Sequence, residues 1–330
     1  MSRNGEREVQ GGSQHDKLRA ALEKIVELAS AAVNGGEDIE KDDFNSDAGE
    51  EGTSLEAQPS CVIKSLPTRL LVPAAETARK INPANAPVFG RLDVLEGFEA
   101  TDPLRIAVLV SKYWGPTPRK LTVSFMESTL SNLKARIISH LNAWAKTSCI
   151  SFVGTNGTGD VRISREPGGY WSYLGTDVLH IPKNRQTMNL EGFTMSTPES
   201  EYKRVVRHEA GHTLGFPHEH MRKDLVAKID PAKAYKWFLD TYGWDKATVD
   251  AQVLTPLDEA SLMSTPADKT SIMCYQLPGL ITKDGSPIPG GTDINQTDYA
   301  FAGKIYPKPG HLAVAQAEEW AVTEDVEVAV

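Results

Sequence analysis

Cysteine is scarce here: Cys61, Cys149 and Cys274 are the only three in 330 residues, and they lie far apart in the chain. That excludes a scaffold built on disulfides. Long apolar runs are missing too, so no membrane-spanning helix is expected. The opening residues Met1-Ser2-Arg3-Asn4-Gly5-Glu6-Arg7-Glu8 hold no apolar core of a secretory signal. A reducing, cytoplasmic compartment is the simplest expectation, and export without a cleaved signal is the competing one. Basic residues form no stripe with interleaved aromatics, which argues against a nucleic-acid partner. No internal repeat is evident.

What remains is ordinary for a globular protein, at 40% hydrophobic and 24% charged residues. The length suffices for one large core or two subdomains. The net charge of −9 is unevenly spread: residues 37–56 hold nine acids against Lys41, and 318–330 hold five more, leaving +4 for the rest. The acidic ends read as solvated tails. Residues 37–60, poor in aromatics, are expected to be disordered. Ser13 could cap an amphipathic helix over about residues 14–33, with Leu18, Leu22, Ile25, Ala29 and Ala32 along one stripe. Such a helix either packs on its own domain or serves as a prosegment, export signal or partner-binding element.

Further along, residues 121–126 alternate as a strand, and 129–146 form an amphipathic helix with Leu130, Leu133, Ile137, Leu141 and Trp144 on one stripe. Residues 149–153, 160–164 and 178–181 read as further short strands. Thr197-Pro198-Glu199 begins a helix, with proline at its first position and acids in its first turn. Later helices start at Asp230-Pro231 and at Asp245, a Gly/Pro-rich loop covers 278–291, and a last helix ends before Pro307. Residues 61–106 carry scattered prolines and short apolar runs and receive no assignment.

The most informative run is His208-Glu209-Ala210-Gly211-His212-Thr213-Leu214-Gly215-Phe216-Pro217-His218. On a helix His208 and His212 project from one face, about 6 Å apart at Cβ. That suits two ligands of one tetrahedral Zn²⁺. Gly215 tolerates the left-handed backbone that ends a helix, and Phe216, standing before Pro217, cannot extend it. The chain therefore turns and delivers His218 as a third ligand, leaving the fourth corner for water. Glu209 sits where it can reach that water without binding the metal.

The extended run resembles the metzincin signature, and Ser271-Ile272-Met273-Cys274-Tyr275 resembles its downstream Met-turn. Phe216, Glu219, Arg222 and the Ser-x-Met-x-Tyr form of the turn are similar to the astacin branch. Looser similarity extends over about residues 117–307. It includes Gly169-Tyr170-Trp171-Ser172-Tyr173-Leu174-Gly175, which looks like the astacin segment leading into the strand that lines the substrate cleft. Cys274 stands where astacins usually carry histidine, and their paired disulfides have no counterpart.

The resemblance implies an α+β metzincin-like fold of two subdomains. A mixed twisted sheet and helices precede the zinc helix, and helices, loops and the Met-turn follow it. The domain plan becomes 1–60 for the N-terminal helix and acidic linker, 61–116 for an N-terminal extension or prosegment, 117–310 for the catalytic domain and 311–330 for an acidic tail. The function implied is a zinc endopeptidase with one Zn²⁺ per chain, a protein or peptide substrate and a monomeric state. His208, His212 and His218 ligate, and Glu209 is the general base. Tyr275 resembles the astacin tyrosine that ligates zinc at rest and swings away to bond the developing oxyanion; a buried structural tyrosine is the other reading. Gly215, Glu219 and Met273 support the site, Met273 as its floor and Glu219 as the astacin residue that meets a trimmed N-terminus. The rival functions are a binding protein without turnover and a hydrolase of non-peptide amides or esters.

Lesser candidates carry less. His220 reads as an exposed or supporting imidazole and Cys274 as a buried, inert thiol. Cys61 or Asp47 could plug the zinc in a latent form. Phe44-Asn45-Ser46-Asp47 only loosely resembles the Phe-x-Gly-Asp segment of astacin prosegments, and disordered filler accounts for it better.

Overall fold

The structure, a computed structural model, describes residues 61–85, 112–257 and 267–309. The helix expected over 14–33, the acidic stretch with Asp47 and the tail 311–330 lie outside these residues. Apart from Pro67–Arg69, the described residues belong to one compact unit.

Two elements come from the stretch left unassigned: β1 (Cys61–Lys64) and α1 (Thr68–Ile81). Then follow β2 (Arg119–Phe125), α2 (Ser131–Leu141), β3 (Ile150–Gly154), β4 (Val161–Ser164), β5 (Tyr170–Tyr173) and β6 (Met188–Leu190). The strands form one mixed sheet in the order β1-β5-β6-β4-β2-β3. Every pairing is parallel except β5 with β6. In β2, Leu121 and Val123 are buried while Thr122 and Ser124 are only half-buried, the alternation its sequence predicts. Interior β4 is buried along its whole length. Its Arg162 stays satisfied by donating to the carbonyls of Gly159, Asp160, Ile181 and Arg185.

Helix α2 runs on into a 3₁₀ turn, Asn142–Lys146, and buries Leu133, Ile137, Leu141 and Trp144 against the sheet side of the core. Leu130, expected on that stripe, is 71% exposed. It sits at the N-cap with extended backbone, so the helical spacing does not yet apply to it.

The strand expected at 178–181 is instead a 3₁₀ helix, Gly175–His180. Gly175 has φ of 51°, and a methyl there would collide with the Lys112 carbonyl. The Lys112 Nζ also bonds the Asp177 carboxylate at 2.7 Å, with both side chains buried. That anchor coils the chain, and Val178 and Ile181 are buried from a helical turn rather than a pleat.

Next, α3 (Glu199–Glu201), a π-helical turn (Tyr202–Val206) and α4 (Arg207–Thr213) form one continuous helix. Pro198 caps it from one position earlier than the sequence suggests. After it come α5 (Lys223–Val226), α6 (Pro231–Tyr242), α7 (Lys246–Val249) with a π-helical turn at Asp250–Leu254, and α8 (Gln296–Ile305). Asp230 caps α6 by accepting from the Lys233 N–H, Gly243 ends it at φ of 70°, and Asn295 with Asp298 form a capping box on α8. Leu225, Ile229, Phe238, Val253, Cys274 and Ile281 make the core of this second half. The α+β plan read from the sequence therefore stands. No helix among the described residues is long and apolar enough to cross a membrane.

Candidate metal centre

Helix α4 carries His208, Glu209 and His212, all buried. Its glycine at 211 is a packing requirement: a Cβ there would collide with the Met273 sulfur. Met273, 4% exposed, thus lies directly against the helical turn that carries His208 and His212. Gly215, at φ of 95°, ends the helix beside Tyr113, and the Phe216 N–H closes the turn onto the Gly211 carbonyl at 3.0 Å. His218 follows in extended backbone and is fully buried.

The three imidazoles meet. Ring centroids are 4.7 Å apart for His208–His212, 4.6 Å for His212–His218 and 5.4 Å for His208–His218. His208 Nδ1 lies 2.6 Å from the Ile272 carbonyl, and His212 Nδ1 lies 2.8 Å from the Phe216 carbonyl. A carbonyl only accepts, so each ring carries its proton on Nδ1 and turns a bare Nε2 inward. The Nε2 atoms of His212 and His218 stand 3.1 Å apart. Two ligands of one tetrahedral zinc, each about 2.0–2.1 Å from it, are separated by roughly 3.3 Å. Burial lowers His208 to about 4 and holds His212 and His218 well below their ordinary value, so all three are neutral, the form that ligates.

Several buried polar atoms here have no hydrogen-bond partner: His208 Nε2, both Glu209 oxygens and the Tyr275 hydroxyl. Buried polar groups are nearly always paired. A divalent cation among the imidazoles is the partner that this donor set fits, and nitrogen donors of this kind suit zinc. Glu209 is not among the residues whose donor atoms cluster for a metal. Its carboxyl is pushed up to about 8 by burial, with the Cys61 thiol and then Arg204 pulling the other way. That suits a proton acceptor near neutral pH better than a ligand.

Tyr275 sits over the site, with ring centroids 4.3 Å from His218 and 6.4 Å from His208. Its position comes from His220, which sequence reading undervalued. That imidazole is fully buried and stacks on Tyr275 at 4.2 Å and 17°. It accepts the Tyr275 N–H on Nδ1 at 3.3 Å and donates from Nε2 to the Gln252 carbonyl at 2.9 Å. With both nitrogens engaged, His220 orients the tyrosine and cannot join the ligands. The His-x-His spacing offered no sign of this, since the partners come from 252 and 275.

Glu219 faces away from the imidazoles into a separate cavity of about 60 Å³ that it shares with Arg222, Asp268, Ser271 and Asp298. It accepts from the Asp268 N–H at 3.0 Å and from Arg222 at 3.4 Å, and burial raises its carboxyl to about 7. A second cavity, of about 170 Å³, is lined by Cys61, Tyr170, Arg204, Glu209, Tyr242 and Tyr275 among others. Arg204, unremarked in the sequence, is tied to Glu201 by two bonds of 3.1 and 2.7 Å and reaches over the Tyr170 ring. Cys274 is buried in the lower core, as expected.

Comparisons with known proteins agree with this geometry. The profile of the Astacin peptidase family matches residues 109–284. A zinc metalloproteinase of Caenorhabditis elegans, nas-27, is 26% identical over 101 residues, which are 31% of this chain and 22% of that protein. The alpha subunit of meprin A from Rattus norvegicus is 28% identical over 145 residues, 44% of this chain and 17% of that protein. The chain thus spans about a fifth of the length of these relatives. The solved structure of myroilysin aligns with a TM-score of 0.56 at 29% identity, covering 60% of this chain and 96% of that one. With the family profile covering over half of its residues and the three-histidine centre intact, the chain belongs to the astacin family of metallopeptidases.

Proposed function

We propose that this chain is a zinc-dependent endopeptidase in which His208, His212 and His218 hold the metal, Glu209 is the general base and Tyr275 stabilises the oxyanion. The observation that carries it is the convergence of three neutral imidazoles beside a buried carboxylate with both oxygens unpaired. Zinc held there supplies Lewis acidity toward a peptide carbonyl and lowers the pKa of water. Glu209 takes a proton from the attacking water and returns it to the leaving amine. The Tyr275 hydroxyl, buried and without a hydrogen-bond partner, is available to donate where negative charge develops on the carbonyl oxygen. His220 keeps that ring oriented, Met273 fixes α4 from below, and Gly215 sends the chain back to place His218.

Residues 117–310 are proposed as the catalytic domain. Packing of Tyr113 and Trp114 onto Gly215 and Thr213 extends the folded body slightly upstream. The chain is further proposed to act as a monomer without a nucleic-acid partner. Metal analysis and casein hydrolysis, before and after trimming with trypsin, test the main reading. Wild type should hold one zinc and clear casein once trimmed, whereas Glu209→Ala should hold zinc and clear none. Equal clearing by both proteins would end the assignment of Glu209.

A further inference from the structure

His208 and His212 are oriented in different ways. His212 Nδ1 donates to the Phe216 carbonyl, four residues on in its own turn. His208 Nδ1 donates instead to the Ile272 carbonyl, 64 residues away. That carbonyl belongs to the same amide group as the Met273 N–H, which donates to the Ser271 hydroxyl oxygen at 3.0 Å. The Ser271 hydroxyl in turn donates to Asp298 Oδ1 at 2.6 Å. The other carboxylate oxygen, Oδ2, accepts the Ile272 N–H and the Asn295 N–H, each at 3.0 Å. Ser271 is 4% exposed and Asp298 8% exposed, so the whole path is shielded from solvent. Asp298 lies in the first turn of α8, where the capping box with Asn295 fixes it.

We propose that Ser271 and Asp298 are positioning residues for His208, acting through a hydrogen-bonded relay that runs carboxylate, hydroxyl, amide, imidazole. The inference rests on the zinc centre proposed above. Each link donates toward the carboxylate, so successive bonds polarise one another in the same direction. The Met273 N–H, drawn toward Ser271, leaves more negative charge on the Ile272 oxygen of the same amide. That oxygen then holds the His208 Nδ1–H more firmly, fixes the tautomer with Nε2 bare, and makes Nε2 a better donor to a metal. The second carboxylate oxygen keeps Ile272 from shifting, so the carbonyl stays aimed at the ring. His212 has no such chain behind it, because its acceptor lies in its own turn. The relay therefore acts on one of the three imidazoles, and it ties that imidazole to the start of α8.

The test compares the full-length wild type with Ser271→Ala, which removes the hydroxyl and leaves Asp298 and the capping box in place. Two quantities are read: the zinc Kd, by competition with a chelator, and the imidazole N–H resonances of the ¹⁵N-labelled, metal-free protein. Losing an outer partner of a metal-binding histidine costs about 10–100-fold in metal affinity. Ser271→Ala should therefore raise the zinc Kd by about 10-fold and move the His208 Nδ1–H resonance upfield. The His212 Nδ1–H resonance should stay where it is, a selectivity that general loosening of the fold would not produce. Asn295→Ala, which removes the other half of the capping box, should leave the zinc Kd within about 2-fold of wild type. A wild-type Kd and an unmoved His208 resonance in Ser271→Ala would overturn the relay and leave the three-histidine centre standing. Wild type that binds no zinc would overturn the centre itself. If Ser271→Ala does not fold, the isosteric Asp298→Asn reads the same two resonances: the His208 signal alone should move, and its failure to move would overturn the relay.

Discussion

Gln252 holds Ile63 with both ends of its side-chain amide: the oxygen accepts the Ile63 N–H at 3.1 Å, and the nitrogen donates to the Ile63 carbonyl at 3.3 Å. A side chain thereby imitates a neighbouring strand on the edge of β1 that β5 does not reach. The backbone carbonyl of the same residue accepts from His220, so one residue braces both β1 and the imidazole behind Tyr275.

Gln252→Ala should free β1 without disturbing His220, because the carbonyl is retained. Two hydrogen bonds are worth about 1–3 kcal/mol together. Hydrogen exchange at the Ile63 amide should rise about 10-fold. Unchanged exchange would mean that the clamp contributes nothing.

His212→Ala removes the proposed ligand, whose Nε2 faces that of His218. Zinc content should fall from one per chain toward zero, and activity should go with it, while circular dichroism keeps its helical signature. Full zinc occupancy in this variant would contradict the ligand assignment.

Tyr275→Phe keeps the ring stack on His220 and removes only the hydroxyl. Zinc content should stay at one, and kcat of the trimmed enzyme should drop by about 10²–10³, the usual loss for one oxyanion donor. KM should change little. An unaltered kcat would return Tyr275 to a structural role.

Gly211→Ala places a methyl against the Met273 sulfur. Overpacking of this kind costs about 1–3 kcal/mol, so thermal melts should show a lower Tm. Adding Met273→Ala should recover part of the loss, since the two sites share one contact. Equal melting of wild type and the single variant would show that the floor is soft.

The regular elements were legible where local rules suffice. Asp230 and Asn295 cap helices as such side chains do, and the spacing of Leu133, Ile137 and Leu141 faces the core. Rules of that kind misread 178–181, because Lys112, distant in sequence, bonds Asp177 and coils the segment. They were silent on β1, a four-residue strand whose pairing partner is β5.

The sequence alone determined the cluster of three histidines. Four-residue spacing, a glycine that ends the helix and a proline that forbids its continuation are local facts, and they bring three imidazoles together wherever that helix is packed. Tertiary structure alone decided what surrounds it: the burial of His220 behind Tyr275, the contact of Met273 with Gly211, and Cys61 beside the histidines. Those depend on closures between distant segments, which sheet order and core packing set and which no spacing within the motif encodes.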